Sequence, residues 1–471
     1  MITIKLDQEK YLSLIFSVFI SCLFGLVILQ YDLKAVFVLG FMLFIPIFFK
    51  RVDYVFYFLL ASRTILDIYF RAEALGSIRI TESAGMMVIL LFPTYFILHR
   101  YNIFSLRINK AYGIFLFLSI IPIFYTRSLT DGFASWLKLL QGFLIMNMTI
   151  LVVLAAGSES CKKRIKTICW SVVIAAALPF IFFLKSYMQG AYVVGSGDII
   201  RYSAFGAHYN TFSYIMLFCF TYCLFLYSVS NNTLKKILLP ILIIMVVTMY
   251  KTYTRNVWVG LASMLLGWNL VRKKYILILV FLTGIILMAI FSSDVQDRFK
   301  DVVVVLSKKS FFDLDWHLMS GRIGIWQSYL HYFIEKSTLL EKLFGSGFDI
   351  DSRVTFINPY MEAKIEGMGA HNTYLSLLMN TGIFGLFTYL VYICMLFQES
   401  VKLLKGTKDI FLRNLANVFI ALLLAYLSLC MATHIIWFIT MQYYLSVFAG
   451  LVIAANILEE KNRNLIQGNS F

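Results

Sequence analysis

Apolar runs of bilayer-spanning length recur along this chain from residue 11 to residue 456, and no other feature limits its fold as strongly. A hydrocarbon core of about 30 Å takes about 20 helical residues, and inside it every backbone N–H and C=O must find a partner within the protein. The runs are continuous rather than alternating, so they predict helices and not barrel strands. They fall near 11–30, 34–49, 53–70, 84–99, 111–125, 134–156, 167–185, 209–229, 235–250, 256–271, 275–292, 372–396, 411–433 and 435–456, fourteen spans of which several are short. With 60% of 471 residues hydrophobic, 14% charged and a mean hydropathy of +0.81, the composition excludes an ordinary soluble domain, a disordered chain and a fibrous repeat. The expected fold class is an all-α polytopic integral membrane protein of about 14 (12–14) transmembrane helices. The first run lacks a small-residue cleavage site and reads as a retained span.

The net charge of +16 admits two readings: an anionic partner, such as nucleic acid or a phosphate-bearing substrate, or the Lys/Arg enrichment of cytoplasmic loops. Placement separates them. With a cytoplasmic N-terminus, the connectors at 1–10, 50–52, 100–110, 157–166, 230–236, 272–274, 397–413 and 457–471 hold 22 Lys/Arg. The opposite short connectors hold eight: Lys34, Arg71, Arg79, Arg127, Lys185, Arg201, Lys251 and Arg255. Both termini are therefore expected in the cytoplasm, most of the basic excess is a topology signal, and no nucleic-acid partner is expected. The eight outward basic residues, with nine more in 293–371, exceed what orientation requires.

Segment 293–371 is the long polar stretch. It is expected as a large extracytoplasmic loop between an N-terminal bundle of about 11 helices (1–292) and the C-terminal helices with a cytoplasmic tail (372–471). Within it Ile323, Trp326, Leu330 and Phe333 recur at helical spacing, with Arg322, Gln327, His331 and Glu335 on other faces. That pattern is an interfacial amphipathic helix expected to lie on the membrane, the alternative being a lid helix packed on neighbouring spans without chemistry. The seven cysteines sit mostly in apolar runs, so a disulfide framework is not expected, and Cys219 with Cys223 reads as core rather than as a metal pair. The six prolines mark no inverted pair of broken helices, which removes the usual pointer to a secondary transporter.

Charged residues at membrane depth need a reason. Arg255 opens a span, where an arginine drawn into hydrocarbon costs at least about 2.5 kcal/mol, so it snorkels or meets an anion. Arg201 and Arg322 share that side of the membrane, and His371 opens a span beside them. Guanidinium groups bind phosphate oxygens in bidentate geometry, and histidine exchanges a proton near neutral pH. Arg63 and Asp67, four apart in the third span, are expected to pair. Asp349, Asp351, Glu362 and Glu366 match no metal-site spacing, so neither a metal nor another cofactor is expected. Trp316, Tyr360 and Tyr374 suit an interfacial aromatic belt.

The run from Gly321 to Trp326, the LFGSGF at 343–348 and the HNTYLSLLMNTGIFGL from His371 to Leu386 resemble the O-antigen polymerase and ligase superfamily of bacterial membrane enzymes. Upstream, RYSAFGAHYN (201–210) resembles that family's arginine-to-asparagine stretch, and TRNVWVG (254–260) resembles its Ser-Arg-Gly-Ala-Trp motif, with Thr254 for the usual serine and Asn256 for the usual glycine. The resemblance covers about 195 to 390.

What the resemblance implies is metal-independent, single-displacement glycosyl transfer from an undecaprenyl-pyrophosphate-linked oligosaccharide to an acceptor glycan at the outer face of the bacterial plasma membrane. By carry-over, Arg255 and Arg322 hold the diphosphate, His371 orients or deprotonates the attacking hydroxyl, Arg201 and Asn210 line the cavity wall, and Asn372 follows His371 in the substrate-binding motif. A polymerase joining repeat units is the leading expectation. Its alternatives are a ligase that moves the glycan to lipid A-core or protein, and a transporter or flippase of the same lipid-linked sugar. Partners implied for a polymerase are the lipid bilayer, a flippase and a chain-length regulator.

Overall fold

The structure is a computed structural model. It describes residues 52–68, 101–190, 209–276, 321–354 and 369–466, with shorter pieces between 73 and 97, at 193–194 and 200–202, between 278 and 319, and at 356–358 and 363–365. The expected spans 11–30 and 34–49, most of 275–292, and Trp316, Tyr360, Glu362 and Glu366 lie outside the described residues.

The apolar runs form helices: α1 (Val52–Ile68), α2 (Arg107–Leu118), α3 (Leu129–Ala155), α4 (Gly157–Ala175), α5 (Ala177–Met188), α6 (Tyr209–Val229), α7 (Asn232–Lys251) and α8 (Arg255–Val271). The polar segment contributes α9 (Arg322–His331) and α10 (Leu339–Phe344), and the C-terminal part forms α11 (Thr373–Gly406), α12 (Ile410–Cys430) and α13 (Ile439–Ile466). Among the described residues, eight helical stretches are long and apolar enough to cross a membrane. The helix α8, at 17 residues, falls just short of that length. Three small antiparallel ladders lie in connectors: β1 (Glu73–Leu75) with β2 (Ile78–Arg79), β3 (Val193–Val194) with β4 (Ile200–Arg201), and β5 (Phe356–Asn358) with β6 (Ala363–Ile365).

Without a hydrophobic force between helices in lipid, close packing needs small residues and internal hydrogen bonds. Both are present. A Cβ on Gly450 of α13 would stand 2.6 Å from the Met146 carbonyl of α3, and one on Gly267 of α8 would stand 2.4 Å from Leu424 of α12. Gln141 accepts from the Tyr443 hydroxyl at 3.0 Å, and Tyr389 and Tyr426 share a hydrogen bond at 2.6 Å. Cys219 and Cys223 are buried in this core. Arg63 is fully buried, donates from Nε to Thr440 at 3.1 Å and lies 4.9 Å above the Tyr443 ring; the side chain of Asp67 is outside the described residues. Exposed Ile237, Ile243 and Val247 run along α7, as a lipid-facing stripe requires.

The helix α11 breaks at Gly382 (φ 71°, ψ −175°), and the loop after α10 crosses that break backbone to backbone. A Cβ on Gly382 would stand 2.3 Å from the Leu343 carbonyl and one on Gly345 would stand 2.1 Å from the Asn380 carbonyl, so neither position accepts a side chain. The Ser346 N–H donates to the Met379 carbonyl at 2.8 Å, pairing a group that the break releases.

One end of the bundle carries ion pairs: Lys162 with Asp409, Arg164 with Asp53 at 2.5 Å and Lys402 with Glu460 at 2.6 Å. These join residues at 53, 157–166, 397–413 and 457–471, so connectors that the charge count puts on one side do meet at one end. The opposite end holds α9 and the start of α11. Of the two expectations for the amphipathic helix, the lid is the one seen. Ile325 and Tyr329 pack with Leu375 and Met379 of α11, and Ile323 packs with Leu314 and Leu318. Ile323, Ile325 and Tyr329 of α9 are buried against protein, and Trp326 and Leu330 are half-buried.

Candidate active site

Two chain segments enter this end of the bundle side by side. Asn372 caps α11, its side chain accepting from the Leu375 N–H at 3.0 Å, and its Nδ2 donates to the Met431 carbonyl at 3.1 Å. The Thr373 hydroxyl donates to the Thr433 carbonyl at 2.7 Å. These bonds fix the turn between α12 and α13 against the start of α11. His371, in the left-handed region at φ 48°, and His434 consequently face each other with ring centroids 5.2 Å apart. His434 is further held by stacking on Phe438 at 5.5 Å and 12°. On the other flank, the Trp326 Nε1 of α9 donates to the Ala370 carbonyl at 2.9 Å and ties the His371 segment to the lid helix.

The first turn of α8 joins the same cluster. Asn256 donates from Nδ2 to the Ala432 carbonyl at 3.0 Å and accepts at Oδ1 from Arg322 Nη1 at 3.2 Å. It therefore bridges the lid helix and the histidine turn. Thr254, the residue before Arg255, donates to Asn210 Oδ1 at 3.1 Å. Arg255 is partly buried between these two linked neighbours. The backbone of Arg201 pairs with Val193, and the next residue, Tyr202, donates its N–H to the Lys251 carbonyl at 3.4 Å; the Arg201 side chain is outside the described residues.

Electrostatics single out two groups. Burial pulls the Arg322 guanidinium below its usual range, yet it pairs with no carboxylate among the described residues. A desolvated cation whose hydrogen-bond partner is a neutral amide lacks a counter-charge. Burial also lowers the His434 pKa, to about 4, with His371 and Arg322 adding to the effect, so His434 is neutral at pH 7. Across the site the carboxyl of Asp351 is pushed up by burial and accepts from the Tyr329 hydroxyl at 2.5 Å. Asp349 is engaged by Arg353 at 3.0 Å and by the Arg127 N–H at 3.1 Å.

Residues 240–390 match the family model Wzy_C, described as O-antigen ligase. This segment is similar to the O-antigen ligase family. No curated protein matches the chain. The matched segment runs from α7 into α11 and contains Arg255, Asn256, Arg322, Asp351, His371 and Asn372, whereas Arg201, Asn210 and His434 lie outside it. The family implies glycosyl transfer in general terms, and the spanning helices make this a multi-pass membrane protein.

Of the residues expected from sequence, Arg322, His371 and Asn372 meet in one cluster with the α8 turn that carries Arg255, and Asn210 reaches it through Thr254. Sequence reasoning omits His434, and it names Asp351 only among loop carboxylates that match no metal site. Asn256 was visible only as a departure from the family's glycine. His434 left a signal, being the single residue between the expected spans 411–433 and 435–456 and on the His371 side.

Proposed function

We propose that the protein is a polysaccharide polymerase that joins undecaprenyl-pyrophosphate-linked oligosaccharide repeat units at the outer face of the bacterial plasma membrane. The observation that carries this reading is Arg322, a partly buried guanidinium with no carboxylate partner among the described residues, linked through Asn256 to the turn that holds His434 against His371. Diphosphate supplies the missing charge. Arg322 and Arg255 hold it, and Arg201 with Asn210 forms the wall beyond. His371 accepts the proton of the acceptor hydroxyl as its oxygen attacks the anomeric carbon. The bond from that carbon to the diphosphate oxygen breaks with its electron pair, and the guanidinium groups stabilise the charge that develops on the departing oxygen. Asn372 holds the start of α11 so that His371 keeps its place. No metal enters this scheme, so chelation leaves activity intact. In this reading the termini are cytoplasmic, the histidine end faces outward, and a flippase and a chain-length regulator work alongside.

A ligase that delivers glycan to lipid A-core or to protein is the second reading, favoured by the description of the matched family. Eight spanning helices among the described residues do not separate the two. Pure protein incubated with lipid-linked repeat units alone does. A ladder of products means polymerase, and dependence on an added lipid or protein acceptor means ligase. His371→Ala abolishes product in either case without lowering membrane abundance; wild-type glycan length in that variant removes the catalytic role.

A further inference from the structure

The chain between the lid helix and α11 carries large apolar side chains on its outside. The helix α9 ends in a π-helical turn, Tyr332–Lys336, and α10 begins three residues later. Ile334, Leu339 and Leu340 are 56%, 72% and 56% exposed there. The charged groups nearby are drawn elsewhere. Glu335 pairs with His331 at 3.2 Å, the Glu341 carboxylate accepts from the Thr338 N–H at 2.8 Å, and the Lys342 ammonium donates to the Ile334 carbonyl at 2.8 Å. Three neighbouring residues of this kind left uncovered mark a contact surface.

Two observations put that surface at the membrane boundary. Phe344, one turn after Leu340 on α10, meets Phe384 of α11 edge to face, with ring centroids 5.4 Å apart. Phe384 belongs to an exposed apolar stripe, Ile383, Phe384, Phe387, Leu390 and Val391, that follows one face of a spanning helix as lipid contact requires. The second observation is depth. From Gly382, where the loop after α10 crosses α11, to Lys402, the first lysine of α11, there are 20 residues. At a rise of 1.5 Å these span about 30 Å, the thickness of a hydrocarbon core. Lys402 pairs with Glu460 at the other end of the bundle, so Gly382 stands where hydrocarbon gives way to headgroups on the histidine side. From this continuity we propose that Ile334, Leu339 and Leu340 form a foot by which the lid rests in the bilayer surface on that side, against the tops of the acyl chains, with exposed Lys336 reaching the headgroup phosphates. The foot goes beyond the glycosyl-transfer reading and does not depend on it. Because the π turn continues directly from α9, lipid contact sets the height at which the lid helix, with Arg322 at its start, stands over the membrane.

The test uses the full-length protein in nanodiscs of phosphatidylcholine and phosphatidylglycerol. Cys22→Ala and Cys394→Ala leave five cysteines, all buried. In that background Leu340→Cys carries an environment-sensitive NBD label, with Phe387→Cys as the lipid-facing control and Lys308→Cys, exposed in the polar segment, as the aqueous one. The label at Leu340→Cys emits to the blue of that at Lys308→Cys and resists aqueous iodide. It loses fluorescence to lipid bearing a nitroxide at the top of the acyl chain, and loses less when the nitroxide is near the chain end. Quenching by iodide to the extent seen at Lys308→Cys overturns the foot. Protection from both quenchers overturns it as well, since protein, such as a second copy of this chain, then covers the surface. Leu339→Cys gives an independent reading of the same outcome, and an elution profile matching the unlabelled protein shows that each variant is folded.

Discussion

The rings of His371 and His434 stand 5.2 Å apart at 41°, although 63 residues and two spanning helices separate them in the chain. Hydrogen bonds from Asn372 and Thr373 to the carbonyls of Met431 and Thr433 create this pairing, so the start of α11 and the end of α12 act as one unit. Four expected outcomes follow from this geometry and the elements around it.

The first concerns pH. The pKa of His434 falls to about 4 in the folded protein from an ordinary 6.5, so between those values the unfolded chain binds more protons than the native one. Stability therefore rises with pH across that window and is lost as pH falls from 6.5 toward 4. Facing His434 are His371 and Arg322, whose charges oppose its protonation, and Asp351 across Gly369. Thermal unfolding of the detergent-purified protein should show this slope, and His434→Phe should flatten it. An unchanged slope in the variant removes His434 as its source.

Asn256 is the second. Asn256→Gly restores the family's usual residue and releases Arg322 from the α8 turn, and we expect kcat/KM to fall about tenfold with membrane abundance kept. Asn256→Asp places a carboxylate beside Arg322 and competes with the diphosphate. Its donor KM should rise about a further tenfold or more. Equal kinetics for the two variants would show that Arg322 does not hold the donor.

Gly382 and Gly345 give a stability expectation. Each has positive φ and a backbone carbonyl within 2.3 Å of any added Cβ, so alanine costs strain plus displacement, roughly 3 kcal/mol or more. Membrane abundance of Gly382→Ala and Gly345→Ala should drop sharply. Normal abundance with normal melting would mean that the loop after α10 does not cross the helix break.

Orientation is the fourth. A reporter fused after Lys274 should read cytoplasmic, and one inserted within 310–320 should read extracytoplasmic. The reverse result puts the arginines and histidines on the wrong side for an outward-facing glycan enzyme.

Hydropathy by itself determined that this chain folds as membrane-spanning helices, because lipid leaves the backbone of a long apolar run no other way to pair its polar groups. Local motifs also placed His371 and Arg322 as candidates, since their order and spacing are written along the chain. Which ends meet is not. Asn256 looked like a packing departure, and only its reach to both Arg322 and the Ala432 carbonyl turned it into a bridge. His434 and Asp351 lie 83 residues apart and share no sequence pattern, yet both border Gly369. Helix packing decided that relationship: an apolar face specifies that a helix is buried, while the small residues and backbone carbonyls that interlock, at Gly382, Gly450 and Gly267, specify against what.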